Sequence, residues 1–200
     1  MTLQEKFSIN RFHQSLITEH GIHSHNAAGW ISAENQLTRQ KTLLKIADLN
    51  NCSVLDVGCG KGDLREQLFN DFPTARYIGI DINSLLLDYA LAQYGHIPET
   101  VFLKGDFSAV DLPATDYIIA CGSLSYHSEE ENYLFTLIKK LYTKAAIGFG
   151  FNLMSKINDP SGLLKAYDPV WVMAFCETIS DKIVLLDKYL DNDFTIFMYH

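Results

Sequence analysis

Apolar residues fall into short runs of strand length separated by stretches with helical spacing, and the alternation is regular from Ser53 onward. Val54–Val57, Tyr77–Ile80, Val101–Leu103, Tyr117–Cys121 and Ala145–Phe151 show little polar alternation, which predicts parallel strands buried on both faces. Leu64–Asp71, Ser84–Tyr94 and Glu129–Tyr142 repeat apolar positions at helical intervals and would connect those strands. Ser128 with Glu131 has the form of a capping box at the start of the third helix. Asp168-Pro169 is a second start signal, an N-cap followed by proline at the first helical position, and predicts a helix over Val170–Ile179. Lys182–Leu190 and Phe194–Tyr199 flank the turn-forming trio Asp191-Asn192-Asp193 and predict a terminal hairpin. Near the start, Phe7, Ile9, Phe12, Leu16 and Ile17 recur at helix-like spacing, and Ala33–Leu49 is a second helical stretch. Strand and helix in strict alternation predict an α/β fold.

The richest local signal is Val54-Leu55-Asp56-Val57-Gly58-Cys59-Gly60-Lys61-Gly62-Asp63, a strand that breaks into three alternating glycines. Glycine allows positive φ and a close ligand approach to the main chain, so a strand feeding this turn forms a crevice at its carboxyl end. The spacing is G-x-G-x-G rather than the dinucleotide fingerprint G-x-G-x-x-G, and Asp56 and Asp63 flank it. Two carboxylates repel a pyrophosphate and tolerate a cation, which disfavours a nicotinamide dehydrogenase. Two further strand ends carry acids in order, Asp81 after Arg76–Ile80 and Asp106 after Val101–Gly105.

The segment Asp56–Gly62 resembles the first motif of class I S-adenosylmethionine-dependent methyltransferases. The resemblance spans Asn50 to His200 and implies a three-layer, Rossmann-like α/β fold with seven strands, the last inserted antiparallel. Residues 1–49 would then be a helical cover of the 50–200 methyltransferase domain. It implies S-adenosylmethionine as the cofactor, with Asp56, Gly58, Cys59 and Gly60 shaping its methionine end. Asp81 would take the ribose diol, Asp106 and Phe107 would face the adenine, and Ile82 would cover one face of it. Trp30, Gln36 and Arg39 would line the pocket from the N-terminal helices. A guanidinium suits the free carboxylate of the cofactor, although Arg39 beside Gln40 and Lys41 is also what a solvated helix surface looks like.

By the same resemblance the segment after the fourth strand, Cys121-Gly122-Ser123-Leu124-Ser125-Tyr126-His127, faces the transferred methyl. It lacks the [DNS]-P-P-[YFW] motif of amino-group methylation on adenine or glutamine. Cys121 lacks the preceding proline of a cytosine-C5 nucleophile and reads as a wall residue. Candidates for acid-base or orienting work are His127 and Tyr126, His127 being alternatively a helix-entry residue. Tyr167, Asp168 and Trp171, in the loop after the fifth strand, are candidate acceptor-pocket residues or packing aromatics. His23 and His25 lack a nearby cysteine or carboxylate and are not read as metal ligands.

Composition narrows the partners. The 200 residues are 48% apolar, enough for one domain, and carry a net charge of -8, which argues against nucleic acid. No apolar run approaches a membrane span, and Met1–Asn10 does not resemble a leader, so a cytoplasmic protein is expected. Cys52, Cys59, Cys121 and Cys176 have no metal-ligand rhythm and read as free thiols. The reading is a methyltransferase acting on an oxygen or nitrogen of a small molecule, loosely like the trans-aconitate methyltransferases. Protein or RNA methylation, and cofactor binding without turnover, are the alternatives.

Overall fold

The computed structural model describes residues 1–157, 159 and 161–200. Seven strands, β1 (Ser53–Val57), β2 (Arg76–Asp81), β3 (Thr100–Lys104), β4 (Thr115–Ala120), β5 (Ala145–Met154), β6 (Lys182–Leu186) and β7 (Asp193–Tyr199), form one sheet in the order β3-β2-β1-β4-β5-β7-β6. β1 to β5 pair in parallel, and β7 runs antiparallel between β5 and β6. The order reverses between β1 and β4, which opens a crevice at the carboxyl ends of those strands.

Side-chain alternation along the strands divides the core between the two faces of this sheet. Leu55 and Val57 of β1 join Ile118, Phe149 and Phe151 on one face, while Val54 joins Tyr77, Tyr117 and Ile119 on the other. Helix α5 (Tyr133–Lys144) covers the first face with Leu134, Leu137, Ile138 and Leu141, the i, i+3, i+4, i+7 stripe of an amphipathic helix. α2 (Ala33–Leu43) and α3 (Asp63–Asp71) cover the second through Leu43, Leu64 and Leu68. The remaining helices are α1 (Leu3–His20), α4 (Ser84–Tyr94) and α6 (Pro169–Glu177).

Four expectations are corrected. β3 is an edge strand with Val101 50% and Leu103 37% exposed, so it is not buried on both faces. The stretch Ala33–Leu49 is helical only to Leu43 and tightens into a 3-10 turn over Leu44–Ile46. β6 stops at Leu186, short of Leu190, because Tyr189 turns back and its hydroxyl bonds Asp193 and Thr195. The capping box at Ser128 does not form. Glu5 of α1 instead accepts from the Ser128 hydroxyl at 3.1 Å and from the Glu129 N–H at 2.7 Å, and α5 starts only after Asn132 with φ 59°.

Candidate functional site

The crevice is built first by the turn after β1. Gly58 and Cys59 donate their N–H groups to the Ile80 carbonyl at 2.8 and 3.1 Å, which ties the turn to the end of β2. Gly58 has φ +73°, and a Cβ there would lie 2.4 Å from Cβ of Ser123. Only glycine lets the turn close against the segment after β4, where the Ser123 hydroxyl donates to the Val57 carbonyl at 2.6 Å. At the end of β2 the Asp81 carboxylate accepts from the Gly60 N–H through Oδ2 and from the Asn83 N–H through Oδ1, each at 2.8 Å. One side chain thus fixes both the glycine turn and the start of α4.

Asp56 is 2% exposed at the floor of the crevice. The Tyr77 hydroxyl donates to its Oδ2 at 2.7 Å, and its Oδ1 has no partner. Burial, reinforced by the nearby carboxylates Asp81 and Asp63, pushes its pKa up from 3.8 to about 7. The folded chain therefore keeps a proton that the unfolded chain releases as pH rises from about 4 to 7, and stability falls across that window. Asp56→Asn removes the burial cost of the charge, so without ligand it should melt a few degrees higher than the native chain at pH 8. The gain should vanish at pH 4, and melting curves at the two pH values check this.

Asp106 lies on the crevice wall after β3. Its Oδ1 accepts from the Ser108 N–H and hydroxyl at 2.9 and 2.6 Å, and its Oδ2 lies 2.5 Å from Lys6 of α1. Burial raises its pKa, but Lys6 and Ser108 together outweigh that and leave it below the ordinary carboxylate value. Further along the wall, Arg39 of α2 lies with Nε 3.0 Å from Asp193 Oδ2, its guanidinium 5.3 Å from the Trp30 ring centroid. Asp193 opens β7; Asn152 and Tyr189 donate to its other oxygen, and burial raises its pKa to about 6 against the pull of Arg39. The Trp30 ring packs on Gly122, where a Cβ would come within 2.8 Å of it.

α1 closes the opposite side. His13 is 7% exposed, with Nδ1 3.1 Å from the Ala27 carbonyl and Nε2 2.7 Å from the Tyr126 hydroxyl. A carbonyl can only accept, so Nδ1 carries the proton and the neutral ring receives the Tyr126 proton at Nε2. Residues 125–127 pair with 163–165 as a short antiparallel bridge centred on Tyr126 and Leu164.

The architecture and crevice can now be set beside known proteins. A methyltransferase-domain family model matches residues 54–143. A malonyl-[acyl-carrier protein] O-methyltransferase of Neorickettsia risticii is 30% identical over 102 residues, 51% of this chain and 38% of that protein. A trans-aconitate 2-methyltransferase of Variovorax paradoxus is 31% identical over 127 residues, 62% of this chain and 46% of that protein. The chain spans less than half the length of these two relatives. Among solved structures, the magnesium protoporphyrin IX methyltransferase of Synechocystis with bound S-adenosylmethionine superposes with a TM-score of 0.73 at 14% identity. That match covers 100% of this chain and 98% of that one.

Residues 54–143 match a methyltransferase domain, and the whole chain has the class I S-adenosylmethionine-dependent methyltransferase fold. The seven-stranded sheet with β7 antiparallel is the fold that the motif implied. The crevice brings together Asp56, Gly58, Cys59, Gly60, Asp81, Ile82, Asp106, Phe107, Cys121, Tyr126, Trp30, Gln36 and Arg39. It does not bring in His127, Tyr167 or Trp171. Successive side chains of an extended segment point opposite ways, so Tyr126 turning inward sends His127 into solvent. α6 buries Val172 and Cys176 one turn apart, which leaves Trp171 75% exposed beside them. Tyr167 packs partly buried against the core. Burial raises the thiol pKa of Cys59 and of Cys121 well above the usual value, so neither is a ready nucleophile. No His, Cys, Asp and Glu cluster fit for a metal occurs among the described residues, and no helix among them is long and apolar enough to cross a membrane.

Among the lining residues that escaped the sequence reading are Lys6, His13, Asn152 and Asp193. His13 lies in the amphipathic stretch of α1 and its partner is 113 residues away. Asp193 looks like a turn residue until Asn152 and Arg39 are placed around it.

Proposed function

We propose that this methyltransferase moves the methyl group of S-adenosylmethionine to an oxygen or nitrogen atom of a small-molecule acceptor. The observation that carries the proposal is the buried, half-satisfied Asp56 beside the glycine turn, with Asp81 and Asp106 at the next two strand ends of the same crevice. The free Oδ1 of Asp56 suits the ammonium of the methionine moiety. Arg39 pairs through Nε with Asp193, and its terminal nitrogens donate no hydrogen bond to the described residues, so they suit the cofactor's carboxylate. Asp81 takes the ribose diol, and Ile82 with Asp106 and Phe107 borders the adenine. The 1–49 segment serves as the cover, with Trp30 between cofactor and acceptor.

S-adenosylmethionine supplies a methyl group on a positively charged sulfur, a good leaving group, so the residues here need chiefly to align it and exclude water. Alignment of this kind contributes about 7–11 kcal/mol. The names of the two relatives carry malonyl-[acyl-carrier protein] and trans-aconitate as acceptors of those enzymes. Calorimetric titration of the purified chain tests the cofactor reading without knowing the acceptor. S-adenosylhomocysteine should bind with a Kd on the order of micromolar, about -8 kcal/mol, and a nicotinamide dinucleotide should give no heat. Heat from the dinucleotide alone would remove the reading.

A further inference from the structure

The crevice is rich in acids and poor in available cations. Five carboxylates line it, Asp56, Asp63, Asp81, Asp106 and Asp193, against the basic side chains Lys6, Arg39 and Lys61. Lys6 is held by Asp106 at 2.5 Å. Lys61 donates to the carbonyls of Ser24 and His23 at 3.0 and 3.4 Å and lies 3.8 Å from Asp63. The Met1 amino group, also on the lining, is 2.6 Å from Glu130. Once Arg39 faces the cofactor, no lining cation among the described residues is left to hold an anionic acceptor. A free carboxylate would enter against the surrounding acids without a partner.

The same crevice contains an oriented base. Tyr126 turns inward and its hydroxyl donates a hydrogen bond to Nε2 of His13, which leaves the oxygen lone pairs of Tyr126 to accept from the crevice. Burial lowers the His13 pKa and keeps the ring neutral, while the hydrogen bond to the Ala27 carbonyl and then Asp81 pull the other way and favour the imidazolium once formed. Asp81 also faces Tyr126, and it adds to the burial that holds the phenol protonated. A carboxylate acceptor has no proton to lose at neutral pH and would have no use for this pair; a hydroxyl acceptor would.

We infer that the acceptor is a neutral molecule whose nucleophilic oxygen carries a proton, a phenolic or enolic hydroxyl, and that Tyr126 backed by His13 removes that proton. The inference rests on the methyl-transfer reading above. In the step, the acceptor oxygen forms the new O–CH3 bond as the S–CH3 bond breaks and its electron pair stays on sulfur. The acceptor proton moves to the Tyr126 oxygen, and the Tyr126 proton moves to His13 Nε2. Tyr126 is the catalytic residue and His13 a positioning residue acting through it. The products are a methyl ether, neutral S-adenosylhomocysteine and an imidazolium that later returns its proton to water.

The test offers the chain S-adenosylmethionine with phenols of graded acidity and with benzoic acids of matching shape. Methyl ethers should form, and methyl esters should not. With a phenol of ordinary acidity, kcat/KM should fall as pH drops below the ordinary histidine value, because burial lowers the His13 pKa, and His13→Gln should lower kcat about 100-fold and abolish that limb. With a more acidic phenol that is still neutral at the assay pH, His13→Gln should cost less, about tenfold, a contrast that a merely structural role would not produce. Tyr126→Phe should follow the same pattern. Esters without ethers, no ether formation, or a pH limb that survives His13→Gln overturns the inference. Each of these counts against it alone when S-adenosylhomocysteine binds the native chain, whereas failure of that binding removes the methyl-transfer reading itself.

Discussion

Asp81→Ala should weaken S-adenosylhomocysteine binding at least 100-fold, about 2.7 kcal/mol, in calorimetric titration. Two losses add. The first is the acceptor for the ribose hydroxyls, since a hydrogen bond to a charged group contributes roughly 1.5–3 kcal/mol. The second is internal: Asp81 holds the N–H of Gly60 and the N–H of Asn83, so its removal frees the glycine turn as well as the start of α4. Asp81→Asn separates the two contributions. The amide oxygen can still receive one N–H but not both together with the ribose, so its affinity should fall between those of the native chain and the alanine variant. Unchanged affinity in Asp81→Ala would remove the ribose assignment.

Gly58→Ala should abolish measurable binding and lower the melting temperature. The methyl group would meet Cβ of Ser123 at 2.4 Å, well inside contact distance, while the backbone stays at φ +73°. Left-handed backbone costs a non-glycine residue roughly 1–2 kcal/mol. The collision adds to that, because Ser123 is held by its bond to the Val57 carbonyl and cannot withdraw without losing it. The turn must therefore move off the segment after β4, which widens the crevice where the methionine end of the cofactor would lie. The same titration, beside a thermal melt, reads both effects. A binding-competent Gly58→Ala would show that the turn tolerates displacement.

The parts of this site that a sequence can display are those whose chemistry is local. Three glycines after a strand declare a turn with positive φ, and acids at consecutive strand ends declare a lined crevice, because each signal is complete within a few residues. Ser128 and Glu131 show the opposite case. Their pattern is a valid capping box, yet Glu5 arrives from the far end of the chain, takes the Ser128 hydroxyl and the Glu129 N–H, and leaves the helix to begin later. His127 and Tyr126 were equal candidates until the bridge to Leu164 decided which of the two neighbours turns inward. His13 was invisible for a related reason. A histidine on an amphipathic helix looks like any polar surface residue, and only the fold supplies Ala27 and Tyr126 as its partners.

The wall formed by Asp193 has a consequence for how the molecule comes into being. The crevice draws on Lys6 and His13 near one end of the chain and on Asp193 near the other, and β7 must slip between β5 and β6 to bring Asp193 into place. During synthesis the glycine turn and the first strands emerge long before that strand exists, so a nascent chain displays the motif without an enclosed cavity. Pairing between strands distant in sequence carries a loop-closure cost and is intrinsically slow. The enclosed crevice thus depends on β7 being paired between β5 and β6, and the glycine turn alone does not make it.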